Sequence, residues 1–402
     1  MDIDLSQVEH WIYGAEGNET IVLRYIGDNS RFNGYVLRLK KQSPSPKDQG
    51  PSPQFSLNFS NQVITPLIGP EYMVPLSIVG VSKDFLQAIS SKIEMHRPER
   101  RRSRRLDSTQ RWGFLAPDLT YQYPWAVELK PKWGFKPASY KIHPKHRHIK
   151  KRTCRFCMHS CLKHGRTDLE YCPLDLYSRN PTRVQRALKA LRREKHLHKN
   201  YQTHGGYQHE LQDDSATPWL DELLQMVLCH DPILTRLHRL QRRLDHMDIE
   251  HIWNVYTSVY DGKPLPGVFD IDTWKRVVER FKARSSSSSS SQNTEHDNDY
   301  QQHLFEFVLS MIFKDCSIFI SIAEVQNTNT CNTHPTLRHP QFIRLSNGNM
   351  YEYKINLVDV DLKMMAKIPY WYELDQRIVS HTISMDYVKH CEEVVWESED
   401  ER

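Results

Sequence analysis

Residues 127 to 135 read Val127-Glu128-Leu129-Lys130-Pro131-Lys132-Trp133-Gly134-Phe135. In an extended segment this alternation puts Glu128, Lys130 and Lys132 on one face and Val127, Leu129 and Pro131 on the other. Two ammonium groups then point the same way. Pro131 removes a backbone donor, which suits an edge strand or a kink opening onto a cleft. Spacing alone fits a solvated strand face equally well. Working outward, residues 129 to 167 contain no Asp or Glu, yet hold twelve Lys or Arg and five His. The net charge of +5 hides this asymmetry. Such a block repels itself unless an anion, or merely solvent, compensates it.

Carboxylates recur further along. Lys314-Asp315-Cys316-Ser317 follows an apolar run at 304 to 313 and precedes Ile318-Phe319-Ile320, so Asp315 stands between two buried elements as a catalytic group or as a turn or helix cap. Val358-Asp359-Val360-Asp361-Leu362-Lys363 reads as a strand with Asp359, Asp361 and Lys363 on one face. Paired carboxylates at that spacing can hold Mg²⁺, or form a cross-strand ion ladder. Upstream, Tyr13-Gly14-Ala15-Glu16-Gly17-Asn18 precedes a strand. Its small residues admit phosphate close to the backbone N–H groups, although an ordinary tight turn has the same composition. Ile21-Val22-Leu23 and Tyr35-Val36-Leu37-Arg38-Leu39, separated by Gly27-Asp28-Asn29-Ser30, predict a hairpin with Arg38 on its second strand. Pro181 after Asn180 opens a helix that aligns Val184, Ala187, Leu188 and Leu191.

At 402 residues, with 39% hydrophobic and 10% aromatic content, the chain can bury two cores. The Pro-, Ser- and Gly-rich stretch 42 to 54 reads as a flexible loop, and the Ser-rich run at 285 to 291 with the polar residues after it as a disordered insert. No run of 18 apolar residues and no basic-headed apolar leader occurs, so an intracellular protein without a membrane span is expected. Eight cysteines are too few for a disulfide framework. Cys154, Cys157, Cys161 and His164 supply a tetrahedral zinc inventory, but no second Cys pair follows, and plain thiols are the stronger expectation.

Taken in order, ELKPKWGF (128–135), CRFCMH (154–159), YCPLDLYS (171–178), KDCSI (314–318) and DVDLK (359–363), followed by KIPYWYELDQRIV (367–379), resemble the successive signatures of inositol-pentakisphosphate 2-kinases. YGAEGN and VLRL extend the resemblance toward the N-terminus. It implies an α+β, two-lobed kinase-like fold. Residues 1–123 would form a small ATP-binding lobe with an antiparallel sheet and a loop insert at 42–54. Residues 124–402 would form a larger α/β lobe for the inositide and catalysis, interrupted by the Ser-rich insert at about 284–300. By motif position Asp315 is similar to the catalytic Asp that orients and deprotonates the substrate hydroxyl. Asp359 is similar to the metal Asp of the Asp-Phe-Gly position. Glu16, Gly17, Asn18, Arg38 and Glu128 match ATP contacts, and Arg97, Lys130, Lys132, Lys163, Lys363 and Lys367 match contacts to substrate phosphates. The implied reaction is ATP- and Mg²⁺-dependent phosphorylation of inositol pentakisphosphate at its 2-hydroxyl by a monomer. The family's plant-type zinc site of two Cys and two His has no counterpart here, since residues 205 to 300 contain only Cys229.

The rival reading is a basic, zinc-stapled nucleic-acid-binding protein using Arg100-Arg101-Arg102-Ser103-Arg104-Arg105 as an arm or nuclear-import signal. That explains the charge but gives no work to the carboxylates. A protein kinase is disfavoured, because no His-Arg-Asp or Asp-Phe-Gly string occurs. The expected location is nuclear, cytoplasmic or both.

Overall fold

The computed structural model describes residues 2–43, 50–138, 140–165, 170–193, 197–204, 207–210, 218–260, 268–286, 300–325, 340–385 and 389–394. Two six-stranded sheets organise them. The first is built from β1 (Asp2–Ile3), β2 (Trp11–Glu16), β3 (Thr20–Tyr25), β4 (Tyr35–Lys40), β5 (Ser77–Val81) and β6 (Trp112–Pro117), in the order β1-β5-β6-β4-β3-β2. The second comprises β7 (Trp125–Leu129), β8 (Leu197–His204), β9 (Tyr207–Glu210), β10 (Ser317–Glu324), β11 (Gln341–Arg344) and β12 (Met350–Val358), in the order β11-β12-β10-β7-β8-β9. Residues 287–299 of the Ser-rich insert lie outside the described residues, as do 44–49 of the 42–54 loop, whereas Ser285 and Ser286 close the helix Ile271–Ser286 and are not part of a disordered run.

Alternation drives the small sheet. Leu37 and Leu39 of β4, with Ile21 and Leu23 of β3, face a core completed by Phe85, Leu86, Ile89 and Ile93 of the helix Lys83–Ile93. Each such side chain, fully buried, contributes roughly 1.5–3 kcal/mol. The intervening residues Val22, Val36 and Arg38 stay half-buried on the opposite face. The predicted hairpin is β3–β4, with Val22 opposite Arg38. The segment read as a glycine-rich turn is largely strand β2, and the turn is confined to 17–19. Ser52 ends the 42–54 loop early: its hydroxyl caps the helix Pro53–Phe59 by accepting from the Phe55 N–H.

The large core is mainly helical. Helix Pro181–Arg193 buries Val184, Ala187, Leu188 and Leu191, the face its spacing predicts. Helix Tyr300–Phe313 is buried on nearly all sides, its polar Gln302, His303, Glu306 and Ser310 included. The boundary expected after residue 123 falls between β6 and β7, but the sequence-based division needs one amendment. Phe59, Val63, Ile64, Ile68 and Tyr72 pack in the large core, not the small one. Tyr72 donates to Asp231 at 2.7 Å, so this stretch is anchored on the far side of the boundary.

Candidate active site

Three adjacent strands of the second sheet stop at one edge. In the antiparallel register Ile318 of β10 lies opposite both Leu129 of β7 and Leu357 of β12, and Ser317 lies opposite Val358. The residues just past these strand ends are therefore gathered by the hydrogen-bond ladder itself: Lys130 after β7, Asp315 before β10 and Asp359 after β12. Beyond Val358 the chain is irregular, so the expected strand face of Asp359, Asp361 and Lys363 does not form. Asp359 instead turns the chain with φ of 61°.

The lysines close onto the carboxylates. Lys130 Nζ is 3.0 Å from Asp359 Oδ2, Lys363 Nζ is 2.8 Å from Asp315 Oδ2, and Lys132 Nζ is 3.7 Å from Asp315 Oδ1. Asp315 and Asp359 remain more than half exposed, open to a ligand. Burial pushes the Asp315 carboxyl up, but Lys363, Lys132 and Lys130 overcome this and hold it below the ordinary carboxylate value. Burial lowers Lys132, with Asp315 opposing and Lys130 reinforcing the shift. Lys130 moves up, because Asp359 outweighs its desolvation.

The loop that bears Lys132 is held against its own preference. Lys132 has φ of 61°, a region uncommon for a side-chain-bearing residue, so its surroundings must enforce it. Tyr171 and Tyr177 hydroxyls donate to the Pro131 and Lys132 carbonyls, each at 3.2 Å. Buried Gln241 donates from its amide to the Lys132 carbonyl and the Phe313 carbonyl, both at 2.9 Å, and accepts the Gly134 N–H at 2.8 Å. Gly134 is needed because a Cβ there would stand 2.7 Å from the Tyr177 ring. Fully buried Lys314 lies 4.0 Å from the Trp133 ring centroid and pairs with Asp245, tying the Asp315 loop to the same wall.

A second group of cations borders this wall. His159, on helix Arg155–His164, is lowered to about 4 by burial and then by the neighbouring charges of Arg155, Lys163 and Lys132. Lys163 is exposed on the same helix. Lys367, also exposed, lies within electrostatic reach of Glu19 on the small lobe. Glu128, half-buried on β7, adds to the field that raises Lys130. Three cations of the acid-free block are neutralised by carboxylates remote in sequence: Lys150 by Asp248, Glu250 and Asp375, Arg155 by Asp375, and Lys136 by Glu393.

On the small lobe, Arg38 faces away from the core between Val22 and Phe114 and has no carboxylate partner among the described residues. Gly17 and Asn18 are exposed at the turn, and a Cβ at Gly17 would meet nothing nearer than Thr20 Oγ1 at 4.0 Å. Two expected contacts fall elsewhere. Arg97 is buried and spends its guanidinium on Glu16, Glu94 and the carbonyls of Arg101 and Arg104, leaving nothing for a substrate phosphate. Glu16 is buried between Arg97 and Lys41 and braces the turn from behind. Lys41 also donates to the Gly17 carbonyl at 2.8 Å.

The candidate quartet of Cys154, Cys157, Cys161 and His164 does not come together. Cys161 is buried inside its helix and His164 is exposed at the helix end. Cys154 and Cys157 meet Cys172 and Cys391 instead.

A sequence profile of the inositol-pentakisphosphate 2-kinase family matches residues 13–377, which span most of both lobes and include Lys130, Asp315 and Asp359. The chain belongs to that family. Among proteins so named, one from Danio rerio is 24% identical over 490 residues, covering 95% of this chain and 94% of its own. One from Arabidopsis thaliana is 24% identical over 460 residues, with 94% of each chain covered. One from Cryptococcus neoformans is 25% identical over 407 residues, with 93% of each covered. The α+β, two-lobed architecture accords with a kinase, and no helix among the described residues is long and apolar enough to cross a membrane. Gln241, Lys314 and the tyrosines at 171 and 177 are what sequence reasoning missed. Only a glutamine within an otherwise amphipathic arginine-rich helix hinted at the first.

Proposed function

We propose that this chain transfers the γ-phosphate of ATP to the 2-hydroxyl of inositol pentakisphosphate, giving inositol hexakisphosphate. The observation that carries the reading is the convergence of Lys130, Lys132 and Lys363 on two exposed carboxylates at a shared strand edge. Phosphoryl transfer is mostly positioning and electrostatics, so it calls for carboxylates set within a cationic field. Asp315, held ionised at neutral pH, accepts the proton of the attacking hydroxyl and orients that oxygen. Lys132 and Lys363, with Lys163 and Lys367 further out, hold the substrate's phosphates. Arg38 and the backbone of Gly17 and Asn18 hold the nucleotide phosphates; the open space beside Gly17 and a guanidinium of Arg38 without a carboxylate partner among the described residues support this assignment.

The donor set at Asp359, exposed carboxylate oxygen without nitrogen or sulfur ligands, suits a hard cation such as Mg²⁺ that retains waters and nucleotide phosphates as its other ligands. Bound there, the cation would neutralise charge developing on the transferred group. Lys130 would have to exchange its partner Asp359 for phosphate when that happens.

The nucleic-acid reading loses its arm. Arg102 and Arg104 donate to the backbone carbonyls of Arg97, Asn18 and Gln42, and Arg104 pairs with Glu19. These two arginines brace the small lobe, while Arg100 and Arg105 stay exposed. A turnover assay with ATP and a panel of inositol phosphates, with and without divalent cation, resolved by anion exchange, tests the proposal. Divalent-dependent formation of the hexakisphosphate is expected. Turnover on none of the inositides, or preference for a different hydroxyl, would overturn it.

A further inference from the structure

Five arginines surround one serine between residues 100 and 105, and the fold divides them into two kinds. Arg102 and Arg104, the immediate neighbours of Ser103, turn inward. Arg102 donates to the carbonyls of Arg97 at 3.0 Å and Met95 at 3.1 Å. Arg104 forks onto both carboxylate oxygens of Glu19, at 3.0 and 3.2 Å, and donates to the Asn18 carbonyl at 2.7 Å and the Gln42 carbonyl at 3.0 Å. Arg101 adds a bond to the Asn18 side-chain oxygen at 3.4 Å. The turn 17–19 is thus braced by the residues beside Ser103. Arg100, Arg105 and Ser103 itself are exposed to solvent.

Bracing accounts for the inward arginines but not for an exposed hydroxyl set among outward ones. Ser103 stands in a surface turn that follows the one-turn helix Glu99–Arg101. Its backbone is held by the Arg101 N–H to Pro98 at 2.8 Å, the Arg102 N–H to Glu99 at 3.1 Å and the Arg104 N–H to Arg101 at 3.3 Å. So short and exposed a stretch belongs to the least stable part of a fold and opens readily. Opened, it offers a serine with Arg100 and Arg101 on one side and Arg105 on the other, a charge pattern of the kind that acidic substrate grooves of protein kinases select.

We propose that Ser103 is a phosphorylation site for an arginine-directed protein serine kinase, and that the phosphate loosens the 17–19 turn. Ser103 Oγ attacks the γ-phosphorus of ATP bound to that kinase and forms a phosphate ester. The bond from phosphorus to the bridging oxygen breaks, ADP leaves with the electron pair, and the hydroxyl proton passes to the kinase's own carboxylate base. The ester carries about −1.5 to −2 charge at pH 7 and three acceptor oxygens. A guanidinium fork pairs with phosphate as it does with carboxylate, so the ester competes with Glu19 and Asn18 for Arg104 and Arg101. Glu19 then loses the partner that chiefly holds its carboxyl below the ordinary range, and the new charge repels it. A dianion beside the turn also disfavours nucleotide phosphates there, so both effects weaken ATP binding. The site owes nothing to the phosphoryl-transfer reading of this chain; only its consequence for ATP rests on that reading.

The full chain is incubated with ATP, Mg²⁺ and the catalytic domain of protein kinase C or of cyclic-AMP-dependent protein kinase, beside a sample without added kinase, and phosphate is mapped by tandem mass spectrometry. Phosphate at Ser103 is expected with added kinase and is lost in Ser103→Ala, whose unmodified affinity for ATP stays at the wild-type value. In the phosphorylated chain, amide hydrogen exchange across 17–19 should quicken. Calorimetric affinity for ATP should fall by roughly fivefold or more, the scale of a lost charge-assisted contact, while affinity for inositol pentakisphosphate is unchanged. No phosphate with either kinase, phosphate confined to other residues such as the Ser-rich run, or phosphate at Ser103 without added kinase would overturn the site. Phosphate at Ser103 with unchanged exchange at 17–19 would overturn the coupling. Faster exchange with unchanged ATP affinity would uphold both and remove the turn from nucleotide binding.

Discussion

The Gln241 side-chain amide lies 2.9 Å from the Lys132 carbonyl, and the same nitrogen donates to the Phe313 carbonyl at 2.9 Å. One buried glutamine thereby spans the loop that bears Lys132 and the loop that delivers Asp315. Replacing it removes both bonds and strands the Gly134 donor, at about 1–3 kcal/mol for a group left without a partner, while the Lys132 carbonyl keeps only the Tyr177 hydroxyl and the Phe313 carbonyl only the weak Cys316 thiol donor. Gln241→Leu should therefore lower thermal stability. In addition, kcat should fall more than KM rises, since positive-φ Lys132 is released from its restraint. If stability falls while kcat at low temperature matches wild type, Gln241 is structural support only.

Asp315→Asn keeps the shape of the carboxylate but neither its charge nor its basicity. Loss of a positioned general base costs about 10²-fold or more in turnover. Nucleotide affinity should stay near wild type, because the nucleotide contacts proposed above lie on the small lobe and at Asp359. A variant within a few-fold of wild-type kcat would remove Asp315 from the chemistry.

How far this site is legible in sequence depends on whether its parts are local. Asp315 and Lys130 are each legible from the apolar runs beside them, because a run that must be buried fixes where it ends. The alternation of 127 to 129 also holds, but it stops at Leu129; Lys132 reaches Asp315 through a left-handed turn that no period-two pattern predicts. Arg97 shows the opposite failure. Its neighbours mix His96 and Arg100 with Glu94 and Glu99, and Glu94, together with Glu16 brought in from β2, consumes it. The four thiols divide the same way: Cys154 and Cys157 are visible as a pair, whereas Cys172 and Cys391 are recruited from a distance and no spacing rule reaches them.

Lys132→Ala should act on the inositide far more than on ATP. Its ammonium is half-buried beside Asp315, and truncating one cation of a partly desolvated pair costs about 2–5 kcal/mol, or roughly 30-fold or more in kcat/KM for inositol pentakisphosphate. Part of the wild-type advantage is long-range attraction of a polyanion, so the ratio between the two proteins should shrink as salt rises. Lys130→Ala adds a contrast: it releases Asp359 from an ion pair and should alter the divalent-cation dependence as well. Equal kinetics for wild type and the Lys130/Lys132 double alanine variant would reduce this wall to a solvated charge face.

His159 sets a pH dependence whose sign can be worked out. Burial first, and then Arg155, Lys163 and Lys132, bring it from 6.5 to about 4, so between those values the unfolded chain binds a proton that the folded chain refuses. Its contribution to stability is therefore complete above about pH 6.5 and is lost as pH falls toward 4. Buried His238, also lowered to about 4, adds to the same window, so His159→Gln should flatten only part of the slope in chemical denaturation. Substrate reverses the local balance. Phosphates set against Lys132 and Lys163 cancel the charges that disfavour imidazolium, so the bound state takes up a proton between about pH 4 and 6.5. Affinity for inositol pentakisphosphate without nucleotide should accordingly rise as pH falls through that range. The ligand's own phosphates titrate too, and their contribution is common to wild type and variant, so the difference between wild type and His159→Gln isolates the histidine. Calorimetric titrations in buffers of different ionisation enthalpy measure the proton count directly. Identical proton uptake by the two proteins would place His159 outside the reach of the bound phosphates.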